Sequence, residues 1–268
     1  MNALEKLKNR IADGFHICVG LDTDINKIPK HLLKNDDPVL NFNRQIIDAT
    51  KEFTCAYKIN FAFYEKYGAK GFEIIENTLK QVPASVLTIA DAKRGDIGNT
   101  SQMYAQSVFE HFGFDAITLH PYMGYDSLSP FLDYADKLHF ILALTSNPGN
   151  SDFEKLVIND GNYLFQHVIE KTKQWNKNSN CGIVFGATNK NELEENIHRF
   201  DDMPVLLPGV GAQGGSLEDV TSIFNNSNKK NFLVNVSRAL LYPDSTENFA
   251  SSALTVLSDY NSVVNKFC

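Results

Sequence analysis

Eight short runs of apolar and β-branched residues recur along the chain, at 17–21, 56–59, 86–90, 116–119, 140–144, 182–185, 205–207 and 232–236. Each gives way to polar or glycine-containing residues. Near-continuous apolar runs of this length are what strands buried on both faces require. Between them the spacing of apolar residues becomes helical. Phe42, Ile46, Ile47 and Phe53 mark one face, and Tyr104, Val108, Phe109 and Phe112 a second. Leu193 and Ile197 lie on a third, and Ala253, Leu254, Leu257 and Val264 on the last. Strands alternating with amphipathic helices predict an α/β fold with a parallel sheet covered by helices. Eight such units in about 250 residues suit a closed (β/α)8 TIM barrel. An open doubly wound sheet has the same periodicity and stands as the alternative.

No linker, low-complexity tract or long charge run divides the chain, so residues 1–268 read as one barrel domain. The Asn/Ser-rich pieces at 176–180 and 225–231 precede strands and read as turns. Residues 147–160 are long enough to form a mobile loop over the barrel mouth.

Composition narrows the function. With 25 Lys+Arg against 32 Asp+Glu the net charge is −7, which argues against broad nucleic-acid binding, since that needs a basic face. No apolar stretch approaches the roughly 18 residues of a membrane span. The start, Met1-Asn2-Ala3-Leu4-Glu5-Lys6, lacks the apolar core of a signal peptide, so a cytoplasmic protein is expected. Cys18, Cys55, Cys181 and Cys268 form no CxxC pair and read as buried thiols in a reducing compartment. The seven histidines show no HxH or HExxH spacing, so no zinc site is expected.

In a barrel, chemistry belongs at the C-terminal ends of the strands. The first run ends in Asp22, the second carries Lys58 and Asn60, and the third enters Asp91-Ala92-Lys93-Arg94-Gly95-Asp96. The fifth ends in Thr145-Ser146-Asn147, and the eighth in Ser237-Arg238. Asp91 and Lys93 are two apart, so an extended strand end points both to one face, within reach of Lys58 on the neighbouring strand. Carboxylates and ammonium groups alternating in a confined place hold each other charged. The competing reading is a salt-bridge network that only ties strand ends together. After the seventh run, residues 208–215 are rich in glycine, and a helix is expected to begin near Ser216. Exposed N–H groups there, with Arg238 one strand later, suit a phosphate.

The segment Ile89-Ala90-Asp91-Ala92-Lys93-Arg94-Gly95-Asp96-Ile97-Gly98-Asn99-Thr100 closely resembles the D-x-K-x-x-D-[IV]-G-x-T signature of orotidine 5′-phosphate decarboxylases. Asp22, Tyr57-Lys58-Ile59-Asn60, Ser146-Asn147-Pro148-Gly149, the glycine-rich stretch and Ser237-Arg238 match other landmarks of that family in order. The wording around Asp91 is most similar to the longer bacterial subgroup. The resemblance implies a cofactor-free carboxy-lyase that converts orotidine 5′-phosphate to uridine 5′-phosphate. It implies Lys93 as proton donor to pyrimidine C6, with Asp91, Lys58 and Asp96 completing a charged array. Asp96, Ile97 and Thr100 are then expected to enter from the partner subunit of a homodimer. Asp22 corresponds to a ribose contact, Ser146 to a pyrimidine contact, and Gln213, Gly211 and Arg238 to the phosphate grip. The resemblance assigns nothing to His120-Pro121-Tyr122, and the role of Asn60 stays open.

Three other readings compete. Keto-gulonate-phosphate decarboxylases and hexulose-phosphate synthases share a D-x-K-x-x-D core but resemble magnesium-assisted enolate enzymes, with a carboxylate where this chain has Lys58. A second lysine disfavours a cation site, which needs oxygen ligands in a negative pocket. Arg94-Gly95-Asp96 spells an adhesion tripeptide, which would need secretion. A phosphometabolite sensor would bind without turnover and has no need of a proton donor.

Overall fold

The strand runs pair in parallel in chain order, and the eighth returns to the first, so the sheet closes into a barrel. The computed structural model describes residues 1–211 and 214–267. The strands are β1 (Ile17–Gly20), β2 (Ala56–Asn60), β3 (Leu87–Arg94), β4 (Ala116–Leu119), β5 (Leu138–Leu144), β6 (Cys181–Phe185), β7 (Val205–Leu207) and β8 (Phe232–Val236). Closure rests on the pairing of Ile17 with Val234 and Cys18 with Asn235, which leaves no free sheet edge. This decides against the open sheet.

Helix α1 (Ala3–Ala12) precedes the barrel, and α2 (Pro38–Thr50) leads into β2. Helices α3 (Ala62–Glu65) and α4 (Ala69–Leu79) lead into β3, and α5 (Asn99–Gln106) into β4. Then come α6 (Tyr125–Leu132), α7 (Leu164–Trp175), α8 (Lys190–Asn196) and α9 (Leu217–Asn226), each before the next strand. Two more, α10 (Arg238–Leu241) and α11 (Phe249–Phe267), follow β8. Among the described residues no helix is long and apolar enough to cross a membrane.

Strand parity sorts the core, because successive side chains point to opposite faces. Cys18, Ala56, Ile89, Ala116, Phe140 and Leu233 belong to one buried cluster inside the barrel, together with Ala3 and Leu7 of α1. Their neighbours Val19, Tyr57, Ala90, Ile117, Ile141 and Val234 belong to a second, packed with the surrounding helices. Helix α1 covers one end of the barrel, where Lys6 Nζ lies 2.7 Å from Asp115 Oδ1. Room for Phe140 in the interior depends on Gly182, its partner in β6: a Cβ there would sit 2.8 Å from the ring and 2.6 Å from Pro204 O. Two residues further along the same inner face stand Lys58, Asp91, Thr118 and Asn235. On β2, β3, β4 and β8 apolar positions thus give way to polar ones one layer above the core, while Leu142 and Val184 keep the β5–β6 side of the mouth apolar.

Several sequence expectations change in detail. Helix α2 stops at Thr50, leaving Phe53 outside it and 44% exposed. The Arg10 guanidinium donates to the carbonyls of Lys51, Glu52 and Thr54, and so satisfies the chain beyond the helix end. Phe53 packs edge-on against Phe15 instead. Helix α5 gives way to a π-helical turn over Ser107–His111, which buries Val108 and Phe109 while Tyr104 stays partly exposed beneath Arg94. The 147–160 segment is anchored. Asn150 Nδ2 donates to Thr145 O at 2.8 Å, and the Glu154 carboxylate accepts from Thr145 N at 2.7 Å.

The described cysteines, Cys18, Cys55 and Cys181, are buried free thiols, and Cys268 lies outside the described residues. Burial pushes Cys55 and Cys181 up to about 12, which makes them inert packing groups at neutral pH.

His139 on β5 is fully buried, with Nε2 3.3 Å from Tyr134 O, and its Nδ1 has no partner among the described residues. Burial pulls the imidazole down to about 3. The unfolded chain therefore takes up a proton near pH 6.5 that the folded chain refuses until about pH 3. Stability is expected to fall as pH drops below about 6.5, by about 1.4 kcal/mol per unit for each such histidine. His16, also lowered by burial, acts in the same direction. Replacing His139 with Met should remove its share of the slope in thermal unfolding midpoints between pH 7 and 5. An unaltered slope would mean that the imidazole titrates normally in the folded state.

Candidate active site

The polar layer above the barrel core forms one connected network. Lys58 Nζ lies 2.8 Å from Asp91 Oδ2 and 3.4 Å from Asp22 Oδ1. Lys93 Nζ lies 2.6 Å from Asp91 Oδ1. Ser237 Oγ donates to Asp22 Oδ2 at 2.7 Å and accepts from Asn235 Nδ2 at 3.3 Å. The network thus runs from β8 through the ends of β1 and β2 to β3. Gly20 makes the β8–β1 contact possible, since a Cβ there would overlap Ser237 Oγ.

The two lysines differ in access. The Lys58 side chain is 4% exposed, whereas that of Lys93 is 50% exposed, so of these two it is Lys93 that presents its ammonium openly to the mouth. Burial by itself would lower the Lys58 ammonium, but the carboxylates of Asp22 and Asp91 more than reverse this and raise it. Burial would likewise raise Asp91, and Lys58 and Lys93 overcome it, holding the carboxyl well below the usual carboxylate range. Lys58 and Asp91 therefore stay ionised through neutral pH. A buried cluster of this kind is tolerable only because each charge has partners.

Lys93 does not reach Asp91 by simple strand alternation. The β3–β4 register shifts between Ala90 and Arg94, and Lys93 adopts φ +47°. A non-glycine residue in that region is strained by about 1–3 kcal/mol and persists only where its surroundings hold it. On one side, Lys93 N donates to Thr118 Oγ1 at 3.0 Å. On the other, Arg94 pairs with Glu65 Oε1 at 2.5 Å, donates to Ala92 O, and lies over the Tyr104 and Phe61 rings.

The mouth is a cavity of about 560 Å³, within the range of small-molecule sites. Asp22, Lys58, Asp91, Lys93, Ser146 and Arg238 all line it. Arg238 is exposed at the start of α10, and its guanidinium has no hydrogen bond or ion pair among the described residues. Asn60 lines the mouth as well, and its Oδ1 accepts from Ala62 N at the start of α3.

The rest of the expected set lies elsewhere. Asp96, Ile97, Thr100 and Gly211 are not among the residues lining this chain's own mouth. Asp96 Oδ1 accepts from Ile97 N at 2.7 Å, and Ile97 is 66% exposed. After β7, Gly209 and Val210 line the cavity, but the N–H of Gly211 is committed to Gly215 O and that of Gly215 to Gly209 O. Two amides expected to face a phosphate thus close the loop instead. Gln213 lies outside the described residues. Helix α9 begins after Ser216, as expected, with Ser216 Oγ accepting from Asp219 N, while the Asp219 carboxylate pairs with Lys190.

Thr118, Asn235 and Tyr242 also line the cavity, and no motif marks them. For the first two a signal existed. Thr118 stands two residues after Ala116, and Asn235 two after Leu233, so parity places both on the inner face above the core. Tyr242 carries no such signal, because it follows α10.

A closed (β/α)8 barrel with a proton-bearing lysine and its carboxylate at the strand ends is an enzyme of the barrel class, working at its C-terminal mouth. Within that class, the chain belongs to the orotidine 5′-phosphate decarboxylase / HUMPS family, whose sequence model matches residues 16–250. It is 51% identical over 240 residues to orotidine 5′-phosphate decarboxylase of Porphyromonas gingivalis, covering 88% of this chain and 87% of that one. The corresponding protein of Dehalococcoides mccartyi is 44% identical over 273 residues, covering 100% of this chain and 98% of its own. Among solved structures, Leishmania donovani OMP decarboxylase superposes with a TM-score of 0.83 at 34% identity, covering 99% of both chains. Leishmania donovani UMP synthase gives 0.86 at 35% identity, covering 98% of this chain and 57% of that longer one.

Proposed function

We propose that this chain decarboxylates orotidine 5′-phosphate to uridine 5′-phosphate without a cofactor, as a carboxy-lyase of pyrimidine biosynthesis. The observation that carries the reading is the Lys93 ammonium, open to the mouth and held at 2.6 Å by a carboxylate that a second, buried lysine keeps ionised. When the bond from C6 to the carboxylate breaks, carbon dioxide leaves and the electron pair stays in an sp² orbital at C6. The pyrimidine ring delocalises that pair poorly. The Lys93 ammonium stabilises it electrostatically and then donates a proton to C6, and solvent reprotonates the amine. Asp91 orients Lys93 and repels the substrate carboxylate, a repulsion relieved as carbon dioxide departs; this acts second to the fixed positive charge.

The remaining roles follow the same division. Asp22 takes a ribose hydroxyl, with Lys58 beside it, and Ser146 the pyrimidine edge. Arg238 grips the phosphate together with Gln213, and remote binding of this kind can be used to close the site and exclude water. Asp96, Ile97 and Thr100 complete the mouth of a second copy in a homodimer. The exposure of Ile97 at 66% and of Met103 at 57% along one segment supports that part of the reading. The barrel is taken as one domain, working in the cytoplasm.

Purified protein mixed with orotidine 5′-phosphate in EDTA should show the ultraviolet change of uridine 5′-phosphate formation, with one carbon dioxide released per nucleotide. Activity lost to EDTA and restored by magnesium would favour the metal-assisted alternative. Tight nucleotide binding without carbon dioxide release would make the protein a sensor.

A further inference from the structure

We infer that Thr118 is a positioning residue for Lys93, an assignment that rests on the decarboxylase reading and adds a residue to it. Thr118 is 2% exposed on the inner face of β4. Its Oγ1 accepts from the backbone N–H of Lys93 at 3.0 Å and donates to Asp91 Oδ1 at 3.1 Å. These directions are not interchangeable. The amide can only donate and the ionised carboxylate can only accept, so the single hydroxyl proton has one place to go.

Asp91 Oδ1 is also the oxygen that receives Lys93 Nζ. The contacts therefore close a ring from the Lys93 amide through the Thr118 hydroxyl to the Asp91 carboxylate and back to the Lys93 ammonium. Lys93 is held at both ends of its residue, and the hold acts where its backbone is strained at φ +47°. Without the hydroxyl, the amide of Lys93 loses its acceptor, Asp91 Oδ1 loses a donor, and the ammonium is free to follow either. Threonine suits the task because β-branching restricts χ1 and keeps the hydroxyl aimed. The device acts at the C6 end of the site. The proposed phosphate contact, Arg238, comes from the far side of the barrel at the end of β8 and shares no hydrogen bond with it.

The test is Thr118→Val, which keeps shape and branching and removes the hydroxyl, compared with Thr118→Ser, which keeps the hydroxyl. The valine variant should lose about 10- to 100-fold in kcat, the scale of a lost hydrogen bond to a charged group, with KM within about threefold of wild type. The serine variant should recover kcat to within about threefold. A valine variant within twofold of wild type in kcat, or a serine variant no better than valine, overturns the assignment. If the valine variant does not fold, Thr118→Cys replaces it, and a kcat for cysteine equal to that for serine overturns the assignment. Wild-type protein that releases no carbon dioxide overturns the decarboxylase reading itself. Wild-type turnover with an indifferent valine variant overturns only the role of Thr118.

Discussion

Lys93→Ala should abolish the conversion of orotidine 5′-phosphate, lowering kcat by at least about 10⁴-fold. Loss of a general acid alone costs about 10²- to 10⁴-fold, and loss of a preorganised charge at the developing carbanion about 10²- to 10³-fold more. The fold should survive. Asp91 keeps Lys58 at 2.8 Å and Thr118 at 3.1 Å, and position 93 sits at the rim with its side chain half exposed. Binding of uridine 5′-phosphate should change little, since the proposed contacts to ribose and phosphate stay in place. The measurements are ultraviolet turnover, calorimetric binding of the product, and the unfolding midpoint. Undiminished turnover would sink the mechanism, and lost binding would show that Lys93 serves ground-state recognition.

Lys58→Met should fail differently, because Lys58 is buried. Removing it leaves Asp22 and Asp91 facing each other with one cation fewer, and breaking a buried pair in this way costs about 3–5 kcal/mol. For a chain of this length that lowers the unfolding midpoint by roughly 10 °C. Asp91 should also rise toward the ordinary carboxylate range, which loosens its hold on Lys93 and lowers kcat by about 10²-fold or more. The sign of the pH dependence follows from the two shifts. Asp91 is lowered on folding, so its contribution is present above about pH 4 and lost as pH falls through its folded value. Lys58 is raised, so its contribution is present below about pH 10.4 and lost as pH climbs beyond that. Across neutral pH the pair contributes a constant amount. Its loss should therefore lower the midpoint by the same amount at pH 6 and pH 8. A midpoint within about 2 °C of wild type would show that the interior tolerates the two carboxylates without the ammonium.

The strand layer of this protein was legible because parallel strands covered on both faces must be apolar along their whole length. The runs around Val19, Ile117, Ile183 and Val234 carry that mark directly. The helical boundaries were less legible. Phe53 has the right spacing for α2, yet Arg10, more than forty residues away, captures the carbonyls beyond Thr50. No local pattern contains that information. The site divides in the same manner. Asp22, Lys58, Asp91, Lys93, Ser146 and Arg238 could be picked out as polar residues at the ends of apolar runs, and they meet in one cavity. Asp96, Ile97 and Thr100 belong to the same motif but lie outside that cavity, since a motif records neighbours in sequence and not the faces they take. Thr118 does not stand out in the sequence, because a lone threonine in an apolar strand looks like an ordinary β-former.

Periodicity and strand-end chemistry are local properties, each set by a few adjacent residues, so the chain by itself determined the eight-unit α/β architecture and most of the charged cluster. Closure of the sheet needed the register of Ile17 against Val234, two segments more than two hundred residues apart. The unequal exposure of the two lysines, the left-handed backbone at Lys93 and the ring through Thr118 likewise depend on packing between strands. Those features separate the open ammonium of Lys93 from the buried one of Lys58, which holds a carboxylate charged. Only the tertiary structure decided them, because burial and hydrogen-bond geometry belong to surroundings assembled from distant parts of the chain.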